Sequence, residues 1–353
     1  MDTLTIIASS KNWIDRRSVE TLEKITRFKE VKHVVGLPDL SVGVVPNGTA
    51  VLTNDRIYPH LIGGDIGCGM SLFEVPLKEK KIKVEKFAKA LEQIGGLDTI
   101  ETDLPTPGYH LGTIGRGNHF AELHRVADIH DPDTFERLGM HERSLYLLVH
   151  SGSRAFGQIV FDRVAGTYDP CEGLSLNEVQ EYLEGHDRAL GYAAQSRELI
   201  AHRLLKAIRV STPPVRISDT AHNSITRTPE GWLHRKGATP TDRGPVIIAG
   251  SRGSLSYLVL PTDHTGHALH SLAHGAGRKW ERNTAEAKLR NRYTKNDLKR
   301  TAIGARVICR DHKLLYEEAP QAYKNIDVVI DDLVEAGLAT VIATFRPILT
   351  YKE

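Results

Sequence analysis

The chain is poor in sulfur, with three cysteines (Cys68, Cys171 and Cys309) and three methionines in 353 residues. An odd, small number of cysteines makes no disulfide framework at this length, which excludes the disulfide-stapled secreted class and favours a reducing cytosol. Long apolar runs are missing too. Stretches such as Ser144 to Val149 and Val341 to Phe345 fall far short of the ~20 residues that cross a bilayer. The N-terminus, Met1-Asp2-Thr3-Leu4, has neither a basic segment followed by an apolar one nor an Arg/Ser-rich presequence. A soluble, cytoplasmic protein without a membrane partner is expected. Charge of one sign is also lacking: 46 Lys and Arg stand against 44 Asp and Glu, for a net +2. A nucleic-acid partner therefore has to be met by a local basic patch and not by the whole surface. There is no internal repeat, low-complexity tract, heptad array or linker. With 40% hydrophobic and 25% charged residues, the composition is that of a globular protein with a sizeable core. One domain over residues 1–353 is expected.

Histidine is plentiful, at 17 residues, and the sequence is organised around a glycine-rich stretch that precedes most of them. Gly63-Gly64-Asp65-Ile66-Gly67-Cys68-Gly69-Met70 sets a carboxylate and a thiol three residues apart among glycines. Backbone freedom at glycine lets Asp65 and Cys68 share one concave edge, and carboxylate plus thiolate is a metal-ligand pair. The competing reading is a glycine-rich turn with a buried thiol and an Asp bonded to its own backbone.

Apolar periodicity predicts helices over Asp15 to Phe28, capped by Asp15, over Val84 to Ile94, stopped by Gly95-Gly96, and over Asp327 to Ala336. Ser175-Leu176-Asn177-Glu178 reads as a capping box opening a helical stretch to about Ile208, interrupted at Gly185 and Gly191. Strands are read at Ser144 to Val149, Val215 to Ser218, Val246 to Ala249 and Thr340 to Arg346. The first three run into polar motifs, His150-Ser151-Gly152-Ser153-Arg154, Thr220-Ala221-His222-Asn223 and Gly250-Ser251-Arg252-Gly253-Ser254. Strand ends place side chains with precision, so these motifs are expected around one cleft. Mixed elements without regular βα alternation give an α+β or complex α/β class.

A second glycine-rich loop, Gly112 to Gly117, ends in Asn118-His119-Phe120. Its glycine spacing departs from the dinucleotide fingerprint, and no phosphate-loop Lys-Ser or Lys-Thr follows. His119 is the better candidate there, as a ligand on a loop. Asp65 and Cys68 with His119, His150 and His222 give a carboxylate, a thiolate and imidazoles, a set suited to one or two divalent ions. Each histidine taken alone is equally a hydrogen-bonded structural residue. In Ala273-His274-Gly275-Ala276-Gly277-Arg278, small residues leave the imidazole accessible and let backbone approach a phosphate. Arg278 and Arg282 add guanidinium groups. His274 is a candidate general acid, metal ligand or nucleophile, or part of a plain helix-capping loop. From Lys279 to Arg310 basic residues are dense. They make either a solvated face or a track for a phosphate backbone, to which Arg154 and His234-Arg235-Lys236 add.

Laid in order, Asp65 to Met70, Gly117-Asn118-His119-Phe120, His150 to Arg154, His222-Asn223, His234 to Thr239, His274 to Arg278 and Glu318 to Lys324 resemble the RtcB family of RNA-splicing and RNA-repair ligases over nearly the whole chain. The resemblance implies a single α+β domain whose deep cleft holds two metal ions, normally manganese, where a soft thiolate alone would argue for zinc. It matches Asp65, Cys68, His119, His150 and His222 to metal ligands and His274 to a histidine that becomes guanylylated by GTP. Asn118, Glu122, Asn223, Ser251, Ser256, Tyr323 and Lys352 match nucleotide-binding positions, the last two close to the guanine. Arg154, Lys236, Arg278 and Arg282 match positions that meet RNA phosphates. The implied substrate is RNA with a 2′,3′-cyclic phosphate or 3′-phosphate end and a 5′-hydroxyl end.

The chain departs from the family pattern at Arg116, where a glycine is usual, at Ala155-Phe156 in place of Gly-Leu, at Ala249 and Arg252 in place of Pro and Met, and at Trp280-Glu281 in place of smaller residues. With its short length, these changes resemble the paralogous branch associated with release factor H, which implies repair of nicked ribosomal RNA. An archease-like activator is a further partner the resemblance implies. Two other readings remain open on the residues alone. One is a metal-dependent RNA phosphodiesterase or cyclic-phosphate hydrolase that never joins ends. The other is a noncatalytic RNA- or ribosome-binding factor using the basic stretch.

Overall fold

Every residue of Leu145–Ser151 is buried, and this is why the segment lies inside a sheet and not at its edge. Leu145, Leu147 and Val149 face one hydrophobic cluster while Tyr146 and Leu148 face another, the period-2 alternation of a strand covered on both sides. The structure, a computed structural model, describes residues 3–75, 77, 82–101 and 111–353; Met1-Asp2, part of the N-terminal reading, lie outside them. The larger sheet runs in the order Val246–Ile248, Ser256–Pro261, Ala339–Lys352, Phe120–Ile129, Leu145–Ser151, Gly69–Val75 and Val215–Ala221. These neighbours are antiparallel, and Arg306–Cys309 adds to Ala339–Lys352 in parallel.

A second sheet is ordered Leu4–Ile6, Val31–Ser41, Asn47–Thr53, Gly231–Lys236 and Asn223–Thr228. The helix Gln180–Ala207 covers one face of the larger sheet through Ile200, Ala201, Leu204 and Leu205. The two sheets meet in a shared core, where Val35, Leu37 and Leu52 pack with Val246, Ile248 and Val259 and with the helix Ile326–Glu335. This is an α+β fold, the class read from the sequence.

The expected helices recur as Arg16–Ile25, with Asp15 accepting from the Arg17 N–H, as Val84–Gln93 and as Ile326–Glu335. Two readings change. Ser175 does bond Glu178, but it lies in a short strand paired with Arg56–Ile57, so the motif closes a turn and the helix starts at Gln180. That helix also runs through Gly185 and Gly191 without interruption. A Cβ at Gly185 would stand 2.9 Å from Val160 Cγ1, so the glycine serves close packing and not helix breaking. The strand expected from Thr340 extends to Lys352, past Pro347, where the ladder shifts register. Val31–Ser41, Gly69–Val75 and Phe120–Ile129 are strands that periodicity did not pick out.

The motif His234-Arg235-Lys236 is mostly interior. Arg235 donates to Ser271 Oγ at 2.9 Å and to the His270 carbonyl at 3.1 Å, so it adds nothing to a phosphate track. His234, 1% exposed, accepts the Tyr58 N–H on Nε2 at 2.9 Å. Burial pushes its pKa down to about 3. The folded ring stays neutral while an unfolded one takes up a proton near pH ~6.5. The unfolded state therefore binds more protons between these values. Its stabilising effect is complete above pH ~6.5 and is lost as pH falls towards about 3, by up to about 1.4 kcal/mol per unit. Urea unfolding between pH 7 and 4 is expected to show this loss, and His234→Gln to flatten it.

Candidate functional site

Antiparallel register brings the polar motifs to one end of the larger sheet. Phe120 and Met70 both pair with His150, and Gly69 pairs with Ser151 on one side and Ala221 on the other. The residues next to these pairs, His119, Cys68 and His222, therefore gather around His150. The Asp65–Cys68 turn is closed by the Cys68 N–H on the Asp65 carbonyl at 3.2 Å, and Asn223 Nδ2 donates to the same carbonyl at 3.2 Å. Arg197, on the long helix and 1% exposed, clamps the arrangement from behind. Its Nη1 donates to the Gly67 carbonyl at 2.9 Å and to the Ser151 carbonyl at 3.0 Å, while Nε and Nη2 hold Asp219 at 2.8 and 3.1 Å.

The donor atoms form two groups that share one sulfur. Cys68, His150 and His222 make one and Asp65, Cys68 and His119 the other, each with its ligand atoms within 4.8 Å of one another. Cys68 Sγ is 3.3 Å from both His119 Nε2 and His150 Nε2, and His150 Nε2 is 3.2 Å from His222 Nε2. His150 Nδ1 lies 3.2 Å from the Asn118 carbonyl, which only accepts, so this nitrogen carries the hydrogen and Nε2 presents a lone pair. Burial drives His150 and His222 well below the usual histidine range, which keeps them neutral. Burial, then the Asp65 charge, pushes the Cys68 thiol up; a bound cation would reverse that effect.

Asp65 Oδ2 is 3.0 Å from His119 Nε2, and its Oδ1 is buried without a partner. A Cβ at Gly152 would stand 2.3 Å from that same oxygen, so the glycine leaves it room. Thiol, neutral imidazoles and an unpaired carboxylate oxygen together are a donor set that fits divalent transition ions.

His274 follows the strand Ser271–Ala273, and its ring lies 4.6 Å from His222 and 6.3 Å from His150, centre to centre. Asp39 Oδ2 is 2.6 Å from its Nδ1 and the Gly237 carbonyl 2.9 Å. Both are acceptors, so Nδ1 bears the hydrogen and Nε2 is the nucleophilic atom. Asp39 comes from the second sheet, in Val31–Ser41, and is fully buried. The sequence reading missed it; a lone carboxylate in the otherwise uncharged Gly36-Leu37-Pro38-Asp39-Leu40-Ser41 was the available signal. The small residues after His274 serve this contact. Gly277 has φ +69°, and a Cβ there would meet the Asp39 carbonyl oxygen at 2.2 Å.

A cleft of about 1030 Å³ opens over these groups. Asp65, Cys68, His150, His222 and His274 line it, together with Asn118, Glu122, Asn223, Ser251, Tyr323 and Lys352 and the basic Lys236, Arg278 and Arg282. Three expected residues stand behind the wall. His119 is buried with Arg154 Nη1 against its Nδ1 at 2.7 Å, and Ser256 Oγ accepts the Gly250 N–H at 3.1 Å. Lys352 Nζ donates to the His119 carbonyl at 2.8 Å; burial lowers its pKa to about 8. Glu318, which the sequence reading placed in a motif without a role, bridges Arg278 (3.1 Å) and Arg282 (3.0 Å) and accepts from the Tyr323 hydroxyl. Burial would raise its pKa, but the charges of Lys352, Arg278 and Arg282 hold it at about 2. Arg278 also donates to the Trp280 and Glu317 carbonyls, so its fork is occupied by protein, whereas Arg282 is half exposed.

Of the departures, Arg116 is exposed and Ala155-Phe156 opens the helix Ala155–Asp162. Glu281 pairs with Arg17 at 2.9 Å, and Lys288 lies 4.5 Å over the Trp280 ring. In the basic stretch Arg290 pairs with Glu286, Arg300 with Glu85 and Arg306 with Glu92. No described helix is long and apolar enough to cross a membrane.

Comparison with known proteins agrees over the whole chain. The sequence pattern of the family described as tRNA-splicing ligase RtcB matches residues 21–105 and 99–353. An RNA-splicing ligase RtcB2 of Escherichia coli is 42% identical over 368 aligned residues, covering 100% of this chain and 96% of that protein. A tRNA-splicing ligase RtcB of Archaeoglobus fulgidus is 32% identical over 67% of this chain and 58% of its own length. One of Nanoarchaeum equitans is 28% identical over 96% and 91%.

Removing the Arg197 guanidinium takes the counter-charge from the partly buried Asp219, which keeps only Ser71, and the side-chain donor from the Gly67 and Ser151 carbonyls. Arg197→Met is expected to cost about 3 kcal/mol in urea unfolding, far more than an exposed Arg16→Met, whose partner Glu20 is solvated.

Proposed function

This chain belongs to the RtcB family of RNA ligases, and from that premise we propose a GTP- and manganese-dependent ligase that works through a guanylylated His274. It joins RNA 2′,3′-cyclic-phosphate or 3′-phosphate ends to 5′-hydroxyl ends. The observation that carries the reading is the pair of donor groups sharing Cys68, with His274 beside them and its Nδ1 hydrogen held by Asp39. Residues 1–353 act in this reading as one ligase domain. The choice of manganese, of nicked ribosomal RNA as substrate and of an archease-like activator follows the family resemblance.

One ion would be held by Asp65, Cys68 and His119 and a second by Cys68, His150 and His222; bound there, they supply positive charge against the phosphates of GTP and RNA. Asp39 keeps the His274 hydrogen on Nδ1 and stabilises positive charge on the ring as Nε2 bonds to phosphorus. Attack of Nε2 on the α-phosphorus of GTP forms the N–P bond and expels pyrophosphate. A cyclic end is first opened by water, whose oxygen bonds to phosphorus as the P–O2′ bond breaks and O2′ takes up a proton; an oxygen of the RNA 3′-phosphate then takes the GMP, and His274 leaves as neutral imidazole. The 5′-hydroxyl oxygen attacks the activated 3′-phosphate, loses its proton and expels GMP. Asn118, Asn223 and Ser251 would position the nucleotide, and Glu122, Tyr323 and Lys352 its base. Lys236 and Arg282 would meet phosphates in the cleft, with Arg154 steadying His119 and Arg278 steadying Glu318.

Labelled GTP with Mn²⁺ is expected to leave acid-labile label on the wild type and none on His274→Ala; equal labelling of the two would overturn the proposal. Cys68→Ala, which removes a donor from both groups, is expected to abolish label while retaining cooperative unfolding. Asp39→Asn is expected to slow labelling by at least about 100-fold, because the imidazole loses its orientation and counter-charge. Consumption of a cyclic-phosphate end without GTP and without joining would favour the hydrolase instead.

A further inference from the structure

Arg252 has hydrogens that the protein leaves unused. It follows the strand Val246–Ile248 across Gly250-Ser251, is 6% exposed, and forms part of the cleft wall. Nη2 donates to the Leu315 carbonyl at 2.8 Å, but Nε and Nη1 are buried with no hydrogen-bond partner. A guanidinium keeps its charge and its five N–H donors in a folded protein. Leaving three of them, one on Nε and two on Nη1, unpaired in a place that also excludes water is unfavourable unless a ligand completes them.

The surroundings limit what that ligand is. Cys309, Glu318, Tyr323, Glu122 and Lys352 are the charged and polar groups whose fields reach Arg252, and all of them but Cys309 line the cleft. A phosphate brought to Arg252 would be repelled by both carboxylates, and Glu318 is already the partner of Arg278 and Arg282. A neutral ring with acceptors beside donors satisfies both kinds of group, the acceptors at Arg252 and the donors at Glu122. Reach agrees. Ala249 is tied to the His274 loop, its N–H on the His274 carbonyl at 3.3 Å and its carbonyl accepting from Ala276 at 3.0 Å. Arg252 is three residues further on, at most ~10 Å of extended chain. A nucleotide bonded through phosphorus to His274 thus has its base within range.

We propose that Arg252 is a specificity-determining residue for the nucleotide, its free Nε and Nη1 hydrogens bonding O6 and N7 of guanine while Glu122 accepts from N1 and N2. This rests on the guanylylation of His274 proposed above. Adenine presents an amino group where guanine presents O6, so it would set donor against donor at Arg252 and its acceptor N1 against the Glu122 carboxylate, which would keep only its contacts to His124 and Thr350.

The test compares His274 labelling by GTP, ATP and 7-deaza-GTP, which lacks the N7 acceptor, in the wild type and in Arg252→Met. The wild type is expected to use 7-deaza-GTP roughly 10-fold less efficiently than GTP. Arg252→Met is expected to use the two equally and to lose roughly 10- to 100-fold of the preference for GTP over ATP. Equal penalties for 7-deaza-GTP in both proteins, whether large or nil, overturn the inference. So does an Arg252→Met enzyme with unchanged GTP labelling and a raised KM for RNA, which would assign Arg252 to the nucleic-acid strand. The 7-deaza comparison in the wild type needs no variant, and a melting curve of Arg252→Met with labelling by any nucleotide confirms its fold. A wild type that takes label from no nucleotide ends the guanylylation reading and this inference together, an outcome distinct from wild-type labelling that ignores Arg252.

Discussion

Electron-rich atoms held face to face in the interior are the constraint to which the rest of this structure answers. His150 Nε2, without a hydrogen, lies within 3.3 Å of the Cys68 sulfur and 3.2 Å of His222 Nε2. The single lone pair of His150 Nε2 can accept well from one of these neighbours, the Cys68 thiol or His222, and the other contact is unfavourable away from water. The contact persists because each donor is fixed by strand register and not by a flexible loop. Arg197 then ties the two chain segments that carry Cys68 and His150 to one buried guanidinium. Such preorganisation lets ions be bound without rearranging the protein.

The imidazole proposed as nucleophile comes from the other half of the molecule. Asp39 lies in the second sheet, and His274 just after the strand Ser271–Ala273, which pairs with Ala238–Pro240 just after Lys236. The cleft is therefore the seam between the sheets, closed at its base by the cluster both share. The Asp39 contact does two things across this seam. It decides which nitrogen of His274 is nucleophilic, and it fixes the imidazole against the donor groups of the larger sheet.

Much of the site was legible in the sequence because chemistry and strand ends coincide there. His150 and His222 follow runs that read as strands, Asp65 and Cys68 stand out among glycines, and the structure gathers them with His119. The α+β class and the principal helices were legible for a similar local reason, a clear apolar period with a capping residue. What was hidden depended on long-range packing. Val31–Ser41 and Gly69–Val75 are buried on both faces and show no alternation. The buried roles of Asp39, Arg197 and Arg235 come from partners far away in the chain, and so does the pairing of Arg282, Arg300 and Arg306 in the basic stretch. Ser175-Glu178 shows the opposite error, a correct local bond in the wrong element, because pairing with Arg56–Ile57 outweighed helix capping.

Charge is graded along the cleft, and the gradient gives Glu318 its place. At the metal end the uncompensated groups are lone pairs and the Asp65 carboxylate, which call for cations. At the far end, Glu318 sits among Arg278, Arg282 and Lys352, which hold it ionised against its burial. If Arg278 were free it would be a strong phosphate site there and would draw a nucleotide's phosphates away from His274. Bound to Glu318, with its remaining donors on the Trp280 and Glu317 carbonyls, it is withdrawn from that competition. Arg252 is the exception in this balanced region, a buried guanidinium with Nε and Nη1 spare. On the proposed reading, Lys236 and the half-exposed Arg282 are then left to meet phosphates, and Arg252 offers directional hydrogen bonds to a base.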